Sequence, residues 1–323
     1  PVNGFGRRRL LALAGLAVAV ATLAAPAALA QTASARGRSA QHLTVDVLDV
    51  GQGDAILIRS PEGKTALIDA GPTRDGAAQA LRRKGLDAVD IVVVTHHHLD
   101  HHGGMETVIR EFHPRYFLAT NSSHTTNSWL RVLQAVKSEG VTAVQPTSKP
   151  RQIELGSVTL TVLPQPPEDE LSENDNSIGI RLQYGGFSML LTGDSEGPSR
   201  AWWRKNCPDL LRDCSVLKLA HHGSHNGTDD AWLDVVRPEL AVVSLGKDNT
   251  YGHPHPETLE VLRTHKISLI RTDEWGTITL VSDGDTWNLV SSRLARRKSD
   301  SRRDAVAAGD SDRSTLRRAS RRR

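Results

Sequence analysis

The ten residues Thr95-His96-His97-His98-Leu99-Asp100-His101-His102-Gly103-Gly104 hold five of the chain's 14 histidines and one carboxylate. Neutral imidazole and carboxylate are common ligands of divalent metals. His96 and His98 lie two apart, so in an extended segment both rings face one way. Asp100 and His101 follow at a turn into a helix, where Gly103 and Gly104 let the backbone pass close to a ligand. The run comes straight after Ile91-Val92-Val93-Val94, an apolar stretch that reads as a buried strand. Four metal-binding groups therefore meet at the carboxyl end of one strand, where α/β folds place their chemistry. A surface histidine run would need neither the buried strand nor the embedded Asp100.

The elements that must position this run are legible around it. Apolar segments rich in Val, Ile and Leu recur at 43–49, 55–59, 65–69, 91–95, 158–163, 178–183, 187–192, 215–220, 240–244 and 277–281, and they read as strands. Helical patterns fall at 75–84, 104–111, 127–138, 197–206, 229–236 and 256–264. Strands mixed with helices over this length predict one layered α/β domain, residues 42–291.

The ends differ from this middle. Residues 1–30 read as a signal peptide: Arg7-Arg8-Arg9, the apolar Leu10 to Leu23, then Pro26 and an Ala28-Leu29-Ala30 cleavage site. The competing reading is a membrane anchor, and the paired arginines also resemble a twin-arginine signal. Export to the periplasm, cell surface or medium is the expectation. Residues 31–41 read as a linker, and 292–323 as a basic disordered tail. The tail is either merely solvated or a tether to anionic polymer or a membrane surface.

The formal net charge is +3. The leader carries three arginines and no acid, and the tail twelve basic and four acidic side chains, so the middle has an excess of eight acidic charges. A pI near 9 is thus no sign of a basic groove in the folded part. Cys207 and Cys214 are the two cysteines. In an exported chain their proximity predicts a disulfide, with two unpaired thiols as the alternative.

The His-x-His-x-Asp-His run resembles the signature of the metallo-β-lactamase superfamily. Leu67-Ile68-Asp69-Ala70-Gly71, Leu191-Thr192-Gly193-Asp194 and Leu217-Lys218-Leu219-Ala220-His221-His222-Gly223-Ser224 resemble its other motifs, in order. Leu48-Asp49-Val50-Gly51-Gln52-Gly53-Asp54-Ala55 and Gly252-His253-Pro254-His255-Pro256 narrow the likeness to the extracellular hydrolase domain of ComEC-type competence proteins. No further apolar stretch near 20 residues follows the leader, so the chain reads as a free-standing relative of that domain without its channel.

The resemblance implies an αββα sandwich and two divalent metals, Zn²⁺ or Mn²⁺. It implies that His96 and His98 bind the first metal, that Asp100, His101 and His221 bind the second, and that Asp194 bridges them. His221 is preferred to His222 because it ends the strand; His222 then faces differently and contacts substrate. Asp69 would support a ligand histidine; otherwise it is a turn residue. The family's usual further histidine is missing between His124 and Asp194, so Asn174, Asp175 or Asn176 is the expected replacement. Asp54 and Ser224 are candidates for positioning substrate, Ser224 on a loop whose N–H groups can receive an anion. His253 or His255 is a candidate general acid; otherwise Asp54 forms a turn and the two histidines cap a helix.

The function so implied is hydrolysis by a metal-activated hydroxide, with a phosphodiester, and hence nucleic acid, as the leading substrate. Lactam, lactone or other ester hydrolysis is the alternative within the fold, and a non-catalytic surface binding module the alternative outside it.

Overall fold

The computed structural model describes residues 42–120, 124–167 and 171–291. The expected leader and linker (1–41) and tail (292–323) lie outside the described residues.

The first sheet opens with β1 (Leu43–Val47), β2 (Ile56–Arg59) and β3 (Thr65–Ile68). Next come α1 (Gly76–Arg83), β4 (Ile91–Val94), the single-turn α2 (Leu99–His102) and α3 (Met105–Phe112). β5 (Tyr116–Ala119), α4 (Asn127–Ser138) and β6 (Thr142–Val144) complete this half. The second sheet takes β7 (Arg151–Leu155), β8 (Val158–Val162), β9 (Ile180–Tyr184) and β10 (Phe187–Leu191). It continues through α5 (Gly197–Asn206), β11 (Val216–Lys218), α6 (Asp230–Val236), β12 (Leu240–Val243), α7 (Pro256–Thr264) and β13 (Ser268–Arg271). After α8 (Thr272–Trp275), β14 (Ile278–Ser282) and β15 (Trp287–Ser291) return to the first sheet beside β1.

The strand orders are β15-β14-β1-β2-β3-β4-β5-β6 and β13-β12-β11-β10-β9-β8-β7. Alternation along each strand makes the layers. Ile91 and Val93 point into the core between the sheets, while Val92 and Val94 pack on the other face with Met105, Val108 and Trp129 of the helices. Met189 and Leu191 likewise face inward, and Leu190 meets the cluster of Trp203, Trp232 and Leu262. The result is the expected four-layer αββα sandwich. β3 through β6 run parallel, as do β10 through β13. Their carboxyl ends bring the residues after β3, β4, β10, β11 and β12 together.

Several strands went unread in the sequence. β6 is three residues long and β7 alternates exposed with half-buried positions. β5 and β13 are short, and β15 is an edge hairpin strand. The expected disulfide is absent: Cys207 and Cys214 are free thiols. Cys214 lies in the apolar cluster under the second sheet and Cys207 packs against it, so both act as small apolar groups. Burial pushes their thiols up, to about 11 for Cys207 and about 12 for Cys214.

Trp203 anchors α5 on the second sheet. It is fully buried, and its Nε1 donates to the Pro164 carbonyl at 2.9 Å. Trp203→Ala is expected to cost about 3–5 kcal/mol by cavity formation, read from urea unfolding. A loss under about 1 kcal/mol would show that this helix does not depend on the tryptophan.

Candidate metal centre

Asp69 follows β3 with φ 59°, a left-handed conformation uncommon for a residue with a Cβ. This turns its carboxylate onto the end of β4. Oδ1 accepts from the Thr95 N–H at 2.8 Å and Oδ2 from the Thr95 hydroxyl at 2.7 Å. The same Oδ2 lies 2.8 Å from His101 Nδ1. Glycine lets the segments close around it. A Cβ on Gly53 would overlap the Asp100 carbonyl, and one on Gly103 the Pro72 carbonyl.

Asp194, after β10, is the centre of the cluster. Its Oδ2 lies 3.2 Å from His101 Nε2, 3.5 Å from His222 Nε2 and 3.9 Å from His96 Nε2. Asp100 Oδ2 lies 3.3 Å from His222 Nε2 and 3.8 Å from His101 Nε2. Asp100, His101, Asp194 and His222 therefore form one constellation, with a ligand atom from each within 4.8 Å of the others. His96 Nε2 and His98 Nδ1 lie 3.1 Å apart beside it.

The tandem histidines depart from expectation. His222, not His221, belongs to the constellation. β11 ends at Lys218, and both histidines then adopt left-handed backbone, φ 49° and 52°. Strand alternation, on which the choice of His221 rested, does not extend to them. His222 is buried, and its Nδ1 donates to the Ser244 carbonyl at 2.9 Å, leaving Nε2 as the free nitrogen. His221 sits at the rim, its Nε2 4.0 Å from Asp194. Its Nδ1 is occupied by Asn226 at 3.1 Å, with Glu196 at 3.4 Å.

Four further expectations are revised. Asp54 is not placed to touch substrate: it is buried, its Oδ2 2.6 Å from Lys218 Nζ and its Oδ1 3.5 Å from His222 Nδ1. Asp175 is engaged elsewhere: Oδ1 accepts from the N–H groups of Glu196 and Ser199 and from the Ser199 hydroxyl, and Oδ2 from Ser172. Ser224 offers no anion-binding N–H, since it donates to the His221 carbonyl at 2.8 Å. His255 ties a loop: its Nδ1 accepts from the His225 N–H at 3.0 Å, and its Nε2 donates to the Tyr251 carbonyl at 3.0 Å. His253 stays beside the site, its ring 5.8 Å from that of His221 and 6.4 Å from that of His222. Asn174 and Asn176 each keep a buried side-chain oxygen without a hydrogen-bond partner.

The buried carboxylates and imidazoles shift one another strongly. Burial opposes charge on the His101 ring, yet Asp194 and Asp69 raise it well above its ordinary value. Burial likewise opposes charge on His222, which Asp194 and Asp54 raise. Burial pulls Asp194 up, but His101 and His222 hold it well below the usual carboxylate range. Burial pushes the His96 ring well down, and His101 adds to that. Burial with neighbouring His222 pushes His253 down to about 4.

Sequence reasoning missed Lys218 and Ser177. Lys218 is a lone charge inside the apolar strand Val216-Leu217-Lys218-Leu219, a sign of a buried partner. Ser177 accepts from the Asp194 N–H at 3.0 Å and lies 3.4 Å from His96 Nδ1. No local pattern marked it.

Comparison with known proteins shows the family. The metallo-beta-lactamase superfamily profile matches residues 48–247, and the chain belongs to that superfamily. ComE operon protein 3 of Bacillus subtilis is 30% identical over 253 residues, which are 72% of this chain and 32% of that protein. Competence protein ComA of Neisseria gonorrhoeae is 27% identical over 244 residues, 72% of this chain and 31% of that protein. The resemblance to ComEC-type proteins is thus borne out, and the chain spans about a third of the length of these relatives. The metallo-beta-lactamase fold protein YhfI of Bacillus subtilis superposes with a TM-score of 0.52 at 12% identity, over 74% of this chain and 100% of its own. That likeness shows the fold. Among the described residues no helix is long and apolar enough to cross a membrane.

The Lys218–Asp54 pair behind His222 is fully buried, so removing one partner strands a charge. Lys218→Met is expected to cost about 3–5 kcal/mol, and Lys218→Met with Asp54→Leu to recover much of it. A double-mutant cycle in urea reads this. Additive losses would show that the two groups do not act as a pair.

Proposed function

We propose that this chain is an exported two-metal hydrolase whose leading substrate class is phosphodiesters. One observation carries the metal reading. His101 Nε2, His222 Nε2 and Asp194 Oδ1 are buried without hydrogen-bond partners, while the far ring nitrogens are tied to Asp69 and Ser244. Orphaned buried polar atoms are costly, and convergent ones are what a cation satisfies.

In this reading Asp100, His101 and His222 hold one cation, His96 and His98 the other, and Asp194 is shared. The side-chain oxygen of Asn174 or Asn176 is the candidate for a further ligand to the His96–His98 ion. Two cations so held lower the pKa of a water and offset the charge that develops on a phosphoryl group. Zn²⁺ and Mn²⁺ both suit this mixed nitrogen and oxygen set.

The chain's own residues do the rest. Asp69 fixes the proton of His101 on Nδ1, and the Ser244 carbonyl fixes that of His222, so both rings present Nε2 inward. With its pKa pushed down to about 4, His253 suits hydrogen bonding to substrate more than giving a proton near neutral pH. His221, on the rim, takes the substrate-contacting role expected of its neighbour.

Kinship with proteins named for competence supports nucleic acid as the source of the phosphodiester. With the middle of the chain acidic, such contact is assigned to the metal centre and the basic terminal segment, whose role as a tether belongs to the same proposal.

The test is hydrolysis of bis(p-nitrophenyl) phosphate by the full chain loaded with Mn²⁺ or Zn²⁺. Turnover is expected with metal, and Asp100→Ala is expected to lower kcat/KM at least about a hundredfold. Metal-loaded protein with no turnover would overturn the phosphodiesterase reading and bring lactone or lactam substrates forward.

A further inference from the structure

His97 stands between two residues of the metal centre and belongs to a different cluster. In the bend after β4 its ring packs on Trp129, whereas His96 and His98 meet each other beside Asp194. It is buried, and its ring packs on Trp129, centroids 4.2 Å apart, at the first turn of α4. The His124 ring stacks beside it at 5.5 Å. Glu173 closes the group from the β8–β9 loop: its Oε1 accepts from the His97 backbone N–H at 2.9 Å and lies 2.9 Å from His97 Nδ1.

His97, His124 and Glu173 each offer a ligand atom within 4.8 Å of the other two. They come from three segments far apart in sequence and share no residue with the Asp100-His101-Asp194-His222 constellation. We propose that these three residues form a separate Zn²⁺ site.

The chemistry favours zinc. Two imidazoles and a carboxylate make a set that zinc binds with three protein ligands and one open position. Calcium and magnesium call for all-oxygen shells. At zinc–nitrogen distances of about 2.0–2.1 Å, tetrahedral ligands sit roughly 3.3 Å from one another. His97 and Glu173 already meet at 2.9 Å. His124 is therefore the ligand that must close in; it is half-buried, on the loop before α4, where it is free of strand packing. The Glu173 side chain is 27% exposed, which gives an ion a way in.

The position gives the site a purpose. Glu173 adjoins Asn174, whose Nδ2 donates to Glu196 at 2.9 Å, and Glu196 meets His221 on the rim of the metal centre. Zinc at His97, His124 and Glu173 pins this loop to the end of β4 and to α4. It would stiffen the rim from outside without taking part in the chemistry.

Zinc stoichiometry tests this directly, by native mass spectrometry of the full chain after chelator treatment and zinc reloading. Wild type is expected to bind three ions, and His124→Ala and Glu173→Gln two each, with unchanged circular dichroism. An Asp194→Asn, His222→Ala protein is expected to keep an ion that is lost on adding His124→Ala. A His124→Ala protein that binds as many ions as wild type would overturn this site. If the Asp194→Asn, His222→Ala protein matches wild type, the two-metal reading of the main centre fails instead, and the His124 comparison still decides the zinc site.

Discussion

The architecture of the metal centre depends on one buried carboxylate. Asp69 sits 1% exposed at the end of β3, where burial raises its pKa and works against its charge. Every contact it makes fixes another part of the site. Two hydrogen bonds hold Thr95, which sets the direction of the His96–His98 segment, and a third group, His101 Nδ1, fixes the ring that faces Asp194. A buried carboxylate with satisfied partners is a rigid reference point, whereas a half-satisfied one would be a defect. The parallel strands of both sheets then carry their carboxyl ends to it.

Three of the seven described non-glycine residues with left-handed backbone lie at the same place. Asp69, His221 and His222 all have left-handed backbone, a conformation that costs roughly 1–2 kcal/mol for each residue with a Cβ. Surrounding packing holds them there: the His222 ring is locked by Ser244, the His221 ring by Asn226, and the His221 N–H donates to the Gly193 carbonyl. Strained backbone at a functional site persists because the surrounding contacts over-determine it. It also explains why a centre of three carboxylates and several histidines can be assembled from loops.

Much of this was legible in the sequence, for identifiable reasons. Buried strands such as Ile91–Val94 and Phe187–Leu191 are short apolar runs, and the motif run carries its spacing openly. What stayed illegible depended on backbone conformation or on distant partners. Alternation could not tell His221 from His222, because the chain leaves the strand at Lys218 and turns left-handed. Asp54 and Lys218 are 164 residues apart, so neither announces the other. Asp175 stands near the position of the family's missing histidine, but its oxygens secure the start of α5. The Cys207–Cys214 spacing suggested a disulfide, while burial in the apolar cluster accounts for both thiols.

In the proposed centre Asp194 would be shared by two cations, with His222 on one of them. Anomalous diffraction from crystals of the full chain grown with Mn²⁺ tests it most directly. The account predicts two peaks about 3.5–4 Å apart, one beside His96 and His98 and the other bound by Asp100, His101 and His222, with Asp194 between them. No peak beside Asp194, or an ion held by His221 with His222 turned away, would contradict it.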